Sequence, residues 1–193
     1  MTDEVANTHD DAPLTASKHR DAAEHETSFE PKGDNLVGRA VTIRRPVAEL
    51  FAYFRDSTNL PTFMENVVSI QVLDAKRSHW VVKAPAGRTV EWDAVVTDEA
   101  ENSFIAWTSE EGADVPNSGR IDFRDAGARG TIVTSTISYD PPFGVIGKAI
   151  AKLFQREPAI QARRDLRRFK QLMETGEIAT AAMNPKQLEE EHA

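Results

Sequence analysis

The chain of 193 residues contains no cysteine. That excludes a disulfide scaffold, a thiolate nucleophile and any cysteine-held metal or iron–sulfur site. Basic residues are also short: 23 Lys and Arg stand against 31 Asp and Glu, a formal net charge of −8. A general nucleic-acid binder needs the opposite surplus, so nucleic acid is not an expected partner. No apolar run approaches the ~20 residues of a membrane-spanning helix. The opening MTDEVANTHDDAP is acidic and polar, unlike a secretory signal or a transit peptide. The expectation is a cytoplasmic protein, at most peripheral to a membrane.

The acidity is concentrated at the ends. Residues 1–35 hold nine acids against three bases, and their large apolar side chains are only Met1, Val5, Leu14 and Phe29. So little apolar surface cannot offset chain entropy, so 1–35 is expected to be a disordered acidic tail. Residues 175–193 read as a second flexible tail. Between them, 36–173 carries 19 bases and 17 acids and is nearly neutral. His9, His19, His25 and His192 fall in the tails, leaving His79 as the one histidine of the core. A histidine metal site has almost no material there, and neither a metal nor another cofactor is expected.

The core, 36–174, reads as one domain. Val41–Arg44 alternates as a strand, and Pro46 suits the first turn of a helix whose stripe is Val47, Leu50, Phe51 and Phe54. After the break Asp56–Asn59, Leu60–Met64 suggests a second, very short helix. Six strands follow: Val67–Asp74, Ser78–Ala84, Arg88–Thr97, Ser103–Ser109, Asn117–Asp125 and Gly130–Asp140. Their turn-rich separators imply hairpins in an antiparallel meander. Beyond Pro141-Pro142 the period becomes helical, with one stripe at Ile146, Ala149, Ile150 and Leu153. A second stripe follows at Ala162, Leu166, Phe169 and Met173. Pro158 predicts a break near Gln155–Glu157, after which a longer helix runs to Gly176.

Strand, two short helices, six strands and a long C-terminal helix is an α+β order, and three segments accompany it. They are RRPVAELFAYFRD, NLPTFMENVVSIQVLD and SYDPPFGVIGKAIAKLF. Over residues 38–174 the chain resembles the START-like (helix-grip, SRPBCC) superfamily. Within it, the chain is similar to the polyketide cyclase/dehydrase and lipid-transport family, which includes coenzyme-Q-binding START-domain proteins. The resemblance implies a seven-stranded antiparallel curved sheet wrapped around the C-terminal helix, with a ligand space between them. The superfamily holds carriers, cyclases, hydrolases and hormone receptors, so function must be argued from the site.

Strand parity proposes the wall of that space. Val90, Trp92, Ala94 and Val96 share one face of their strand. The expected inward set is Val90, Trp92, Ile105, Trp107, Ile121, Phe123, Val133, Ile137 and Tyr139. Phe54 and Phe63 from the short helices, and Ile150, Phe154, Leu166 and Phe169 from the C-terminal region, complete the expected ligand cavity. Such a lining suits a lipophilic molecule such as a quinone, polyketide or lipid, although any sheet packing a helix also needs an aromatic face.

Catalysis by a cyclase or dehydratase would draw on His79, Tyr139 and Arg120 to orient and protonate an enol. His79 has the parity opposite to Trp80 and Val82. It faces solvent if Trp80 points inward and enters the cavity if Trp80 points out. Glu91 and Asp93 share a face, with Lys83, Arg120, Asp122 and Arg124 on neighbouring strands. A catalytic reading makes either a general base partnered by His79 or an Arg, and the alternation favours a solvent-side salt-bridge ladder. Arg163, Arg164, Arg167, Arg168 and Lys170 give the last helix a basic run. With Lys148 and Lys152 it could meet an anionic membrane surface transiently, or remain a solvated face. Binding is therefore expected ahead of catalysis, and an interaction module with a closed interior is the third reading.

Overall fold

The computed structural model describes residues 35–84, 87–139 and 158–179. Expectations for residues 1–34 and 180–193 of the tails, for the stripe at 146–153, for the break at 155–157, and for Lys148, Ile150, Lys152 and Phe154 lie outside these residues.

Strand β1 (Asn35–Ile43) leads into helix α1 (Val47–Arg55), and a 3-10 turn spans Ser57–Thr62. Six strands follow: β2 (Val67–Val72), β3 (Arg77–Ala84), β4 (Arg88–Ala100), β5 (Phe104–Ser109), β6 (Asn117–Asp125) and β7 (Thr131–Tyr139). Helix α2 (Pro158–Thr175) closes the described chain. All seven strands form one antiparallel sheet in the order β1-β7-β6-β5-β4-β3-β2. It is the meander that the turn signals implied, closed at one side by β1 pairing with β7.

Several boundaries differ from the sequence expectation, the largest at β1, which begins at Asn35, inside the expected tail, rather than at Val41. The short second helix begins at Ser57, inside the expected break, because the Asp56 carboxylate accepts from Thr58 N at 3.1 Å and caps the turn. Strand β4 runs three residues past Thr97, and a bulge between Val96 and Asp98 absorbs the change in register. Pro46 is the residue that caps α1, and α2 begins at Pro158, where a missing N–H costs nothing.

The α2 terminus is tied down rather than left to water. Gly176 takes φ +78° and its N–H bonds to Leu172 O at 2.8 Å, a left-handed stop that glycine adopts without strain. Arg45 donates to the carbonyls of Met173 (2.6 Å) and Glu174 (3.3 Å), partnering orphan carbonyls at the negative end of the helix dipole. Nearby, Gly130 turns β6 into β7 so close to β1 that a Cβ there would lie 2.2 Å from Ile43 O.

The main core lies between the concave sheet face and the two helices. Phe63 and Phe169 are essentially inaccessible, with ring centroids 4.7 Å apart. Phe51 and Phe54 each meet Phe123 edge-on, at 5.7 and 6.0 Å. Val41, Ile43, Ile121, Val133, Leu166 and Met173 fill the gaps between these rings.

Candidate ligand-binding cavity

Toward β3 and β4 the same interior stays open. A cavity of about 340 Å³ lies there, in the size range of small-molecule sites. Its depth is apolar: Leu60, Ala94, Ile105, Trp80, Trp107 and Ile137. Two cross-strand pairs on this part of the sheet include a side chain that is small or absent. Ala94 pairs with Ser78, and Trp107 pairs with Gly119. A Cβ at position 119 would stand 2.1 Å from Trp107 Cζ2, so only glycine lets the indole lie flat against β6. The void is thus a consequence of missing side-chain volume on the sheet.

Charged groups gather at the mouth, on the end of α1 and the β2–β3 turn: Arg55, Asp56, Asp74, Lys76 and Arg77. Most are committed locally. Arg55 makes a two-pronged contact with Glu99 (2.5 and 3.2 Å) and donates to Ala75 O at 2.9 Å, linking α1, β4 and the turn. Arg77 pairs with Glu110, which holds its guanidinium above the ordinary range. Asp74 accepts from the backbone N–H of Lys76 and Arg77, and these bonds lower its pKa.

Of the residues expected to line the cavity, Phe54, Ile105, Trp107 and Ile137 are on its wall. Phe63, Ile121, Phe123, Val133, Leu166 and Phe169 instead pack among themselves in the filled core. Val90 joins a satellite cluster with Val67, Val82 and Val115, against which Trp92 packs. Trp92 stacks on Trp80 at 6.2 Å, and Trp80 rather than Trp92 faces the cavity. Strand parity missed Leu60, Met64, Val72, Trp80, Ala94 and Val96 as wall residues. Ala94 and Val96 carried a readable signal, since they share the parity of Trp92.

The catalytic candidates do not come together. Trp80 points inward, so His79 is on the convex face, where its Nδ1 lies 2.8 Å from Asp93 Oδ1 and its Nε2 3.7 Å from Glu91. The Glu91/Asp93 pair therefore meets His79, not the expected Lys83, whose ammonium donates to Glu65 O. Arg120 also projects from the convex face. It is buried there over the Phe104 ring, 3.6 Å from the centroid, and donates to Asp122 at 2.8 Å. Both corrections follow from the two-residue period of a strand: neighbours of an inward residue point outward. Tyr139 keeps the concave parity but is buried at the end of β7, off the cavity wall, and burial pushes its hydroxyl pKa up. Among the described residues no group of three or more His, Asp or Glu is arranged to hold a metal ion.

The basic run on α2 divides. Arg168 donates to Phe63 O at 2.8 Å and is spent on the fold, while Arg164 and Arg167 are exposed. Asp165, between them, accepts from Glu65 N (3.3 Å) and Gln161 Nε2 (2.9 Å). Burial raises its pKa to about 6.

The family described as polyketide cyclase / dehydrase and lipid transport matches residues 43–167. The chain belongs to this family. Among solved structures, it is similar to a protein of Deinococcus radiodurans at 42% identity and TM-score 0.61, over 75% of this chain and 100% of that one. A START superfamily protein of Mycobacterium smegmatis shares the fold at 16% identity and TM-score 0.51, over 69% and 99%. So does the Zhui aromatase/cyclase of a Streptomyces species, at 14% identity and TM-score 0.58, over 75% and 99%. No curated protein matches the chain. The curved seven-stranded sheet with its C-terminal helix is the helix-grip arrangement of START-like proteins.

Proposed function

We propose that this chain binds a lipophilic small molecule, of the quinone, polyketide or lipid type, in the cavity between the sheet and its helices. The observation that carries this reading is the open, apolar interior beside a densely filled one. Burying ~500 Å² of apolar ligand surface would supply roughly 12 kcal/mol gross, from which association costs leave ordinary micromolar binding. No charged contact is required. Native mass spectrometry of the protein purified from its own host, with extraction of bound lipids, is the test. A co-purifying hydrophobic molecule is expected; an empty protein that also fails to bind hydrophobic dyes would overturn the reading.

A cyclase or dehydratase is the second reading, since the family name includes those activities. It is disfavoured by the placement of His79 and Arg120 on the face opposite the cavity. Unchanged turnover of a polyketide precursor in His79→Ala and Tyr139→Phe variants would leave that mechanism without its proposed residues. A closed interaction module is disfavoured by the cavity itself. Exposed Arg164 and Arg167 support release or uptake of the ligand at an anionic membrane surface. Equal binding to neutral and anionic vesicles would remove that part of the proposal. No helix among the described residues is long and apolar enough to cross a membrane.

A further inference from the structure

The cavity depth is apolar but not featureless. Trp107 and Ser135 both reach its wall, from β5 and β7, on either side of β6. Among the described residues, neither the Trp107 indole N–H nor the Ser135 hydroxyl has a hydrogen-bond partner. The contrast is Trp80, also on the wall, whose indole already donates to Ser78 Oγ at 2.9 Å. Neither free group is sealed off, either: the buried side-chain polar atoms without a partner are Thr42 Oγ1 and Arg163 Nε. Both groups are open to the cavity rather than buried without a partner, so an otherwise apolar wall carries two polar groups that an acceptor oxygen on a ligand can bond.

Sign and number of charges narrow the ligand further. The charged wall residues are at the mouth, and four of the five are engaged in local bonds. The depth offers no cation to neutralise a carboxylate or phosphate, and burying such a group unpaired is prohibitive. A neutral oxygen that accepts, such as a ketone, quinone or ester carbonyl, is the group these donors can satisfy. The position of the indole is not accidental. It rests on Gly119, the single β6 residue whose lack of Cβ lets Trp107 lie against the strand.

Resting on the lipophilic-binding reading above, we infer that the cavity selects uncharged apolar molecules carrying an acceptor oxygen. The oxygen is read by the Trp107 N–H and the Ser135 hydroxyl, and Gly119 sets the seat of the indole. The cavity discriminates by this oxygen as well as by size.

A matched pair of bicyclic probes tests it, 1-tetralone and tetralin, which share a skeleton and differ by one carbonyl oxygen. Affinities for the full chain are measured by calorimetry or equilibrium dialysis, with near-ultraviolet circular dichroism confirming that each variant is folded. In the unaltered protein 1-tetralone is expected to bind about three- to tenfold tighter, the worth of one net hydrogen bond. Ser135→Ala, which removes only an oxygen, and Trp107→Phe should each shrink that ratio, which is read within each variant so that any change in apolar contact affects both probes alike. Gly119→Ala keeps both polar groups but displaces the indole, and it should lose the ketone preference as Trp107→Phe does. Equal binding of the two probes to the unaltered protein, or a ratio that survives both Ser135→Ala and Trp107→Phe, overturns this inference and leaves lipophilic binding intact. If neither probe binds, the binding reading itself falls, and this inference with it.

Discussion

Two halves of one interior, built from the same sheet and the same pair of helices, differ in how they are filled. Under β1, β7 and β6, rings from α1, the short turn and α2 interlock: Phe51, Phe54, Phe63 and Phe169 close on Phe123 and Val133. Under β3, β4 and β5 the sheet presents Ser78, Ala94 and a tryptophan laid against Gly119, and about 340 Å³ stays empty. Protein interiors normally pack as densely as organic crystals. The filled half obeys that rule and supplies the stability; the open half departs from it and supplies the site. The lesson is that here the cavity is made by small residues, not by large ones.

Truncations at the two halves should therefore cost different amounts. Phe169→Ala in the filled half is expected to lower unfolding free energy by about 3–5 kcal/mol, through lost transfer and a new cavity. Ile137→Ala, whose side chain already borders empty space, should lose mainly the transfer part, about 1–2 kcal/mol. Urea denaturation of both variants measures this. Equal losses would break the comparison, because they would mean that the open half is closed in solution.

Asp165 sits where the halves join, bonded to the segment that carries Phe63 into the core and Met64 onto the cavity wall. Its pKa of about 6 in the folded protein exceeds the ordinary 3.8, so the folded state binds more protons across that window. Stability should consequently fall as pH rises from about 4 to about 6, then level off. Asp165→Asn, which can still accept from Glu65 N and Gln161, should remove that slope and raise stability at pH 8 by up to ~3 kcal/mol, at 1.36 kcal/mol per unit. Thermal unfolding as a function of pH would show it; a steeper slope in the variant would contradict the assignment.

Enlarging side chains should invert the pattern. Val133→Phe overpacks the filled half and is expected to cost about 1–3 kcal/mol with ligand affinity retained. Ala94→Leu fills the open half: dye binding should be lost while stability changes by less than about 1 kcal/mol. A large destabilisation by Ala94→Leu would count against available space at that wall.

The smallest effect belongs to the mouth. Arg55 and Glu99 are each about one-third exposed, at 34% and 32% of the side chain. Arg55→Ala should thus cost only about 0.2–1 kcal/mol. It should nonetheless speed release of a bound dye in stopped-flow measurements, since Arg55 also fastens the β2–β3 turn through Ala75 O. An unchanged release rate would assign that contact to stability alone.

How much of this was readable beforehand depends on the period of the signal. A two-residue alternation is local, so Ile105, Trp107, Ile137 and Val133 could be placed on the concave face from sequence. It does not distinguish residues that meet a helix side chain from those that meet nothing. Val133 and Ile137 are four apart on β7 and share its concave face, yet one is fully buried in the core and the other borders the cavity. Hydrophobic patterning also passes over Ser78 and Ser135, whose smallness and polarity shape the site.

Element order, the helix start at Pro158, the stop at Gly176 and the exclusion of cysteine chemistry were fixed by local residue properties, because propensity, proline geometry and composition act within a few residues. Which side of the sheet His79 occupies was a matter of parity, and the inward turn of Trp80 settled it. Where the interior is full and where it is empty was decided only by tertiary structure. That outcome depends on volumes brought together from seven strands and two helices, and no stretch of sequence contains the sum.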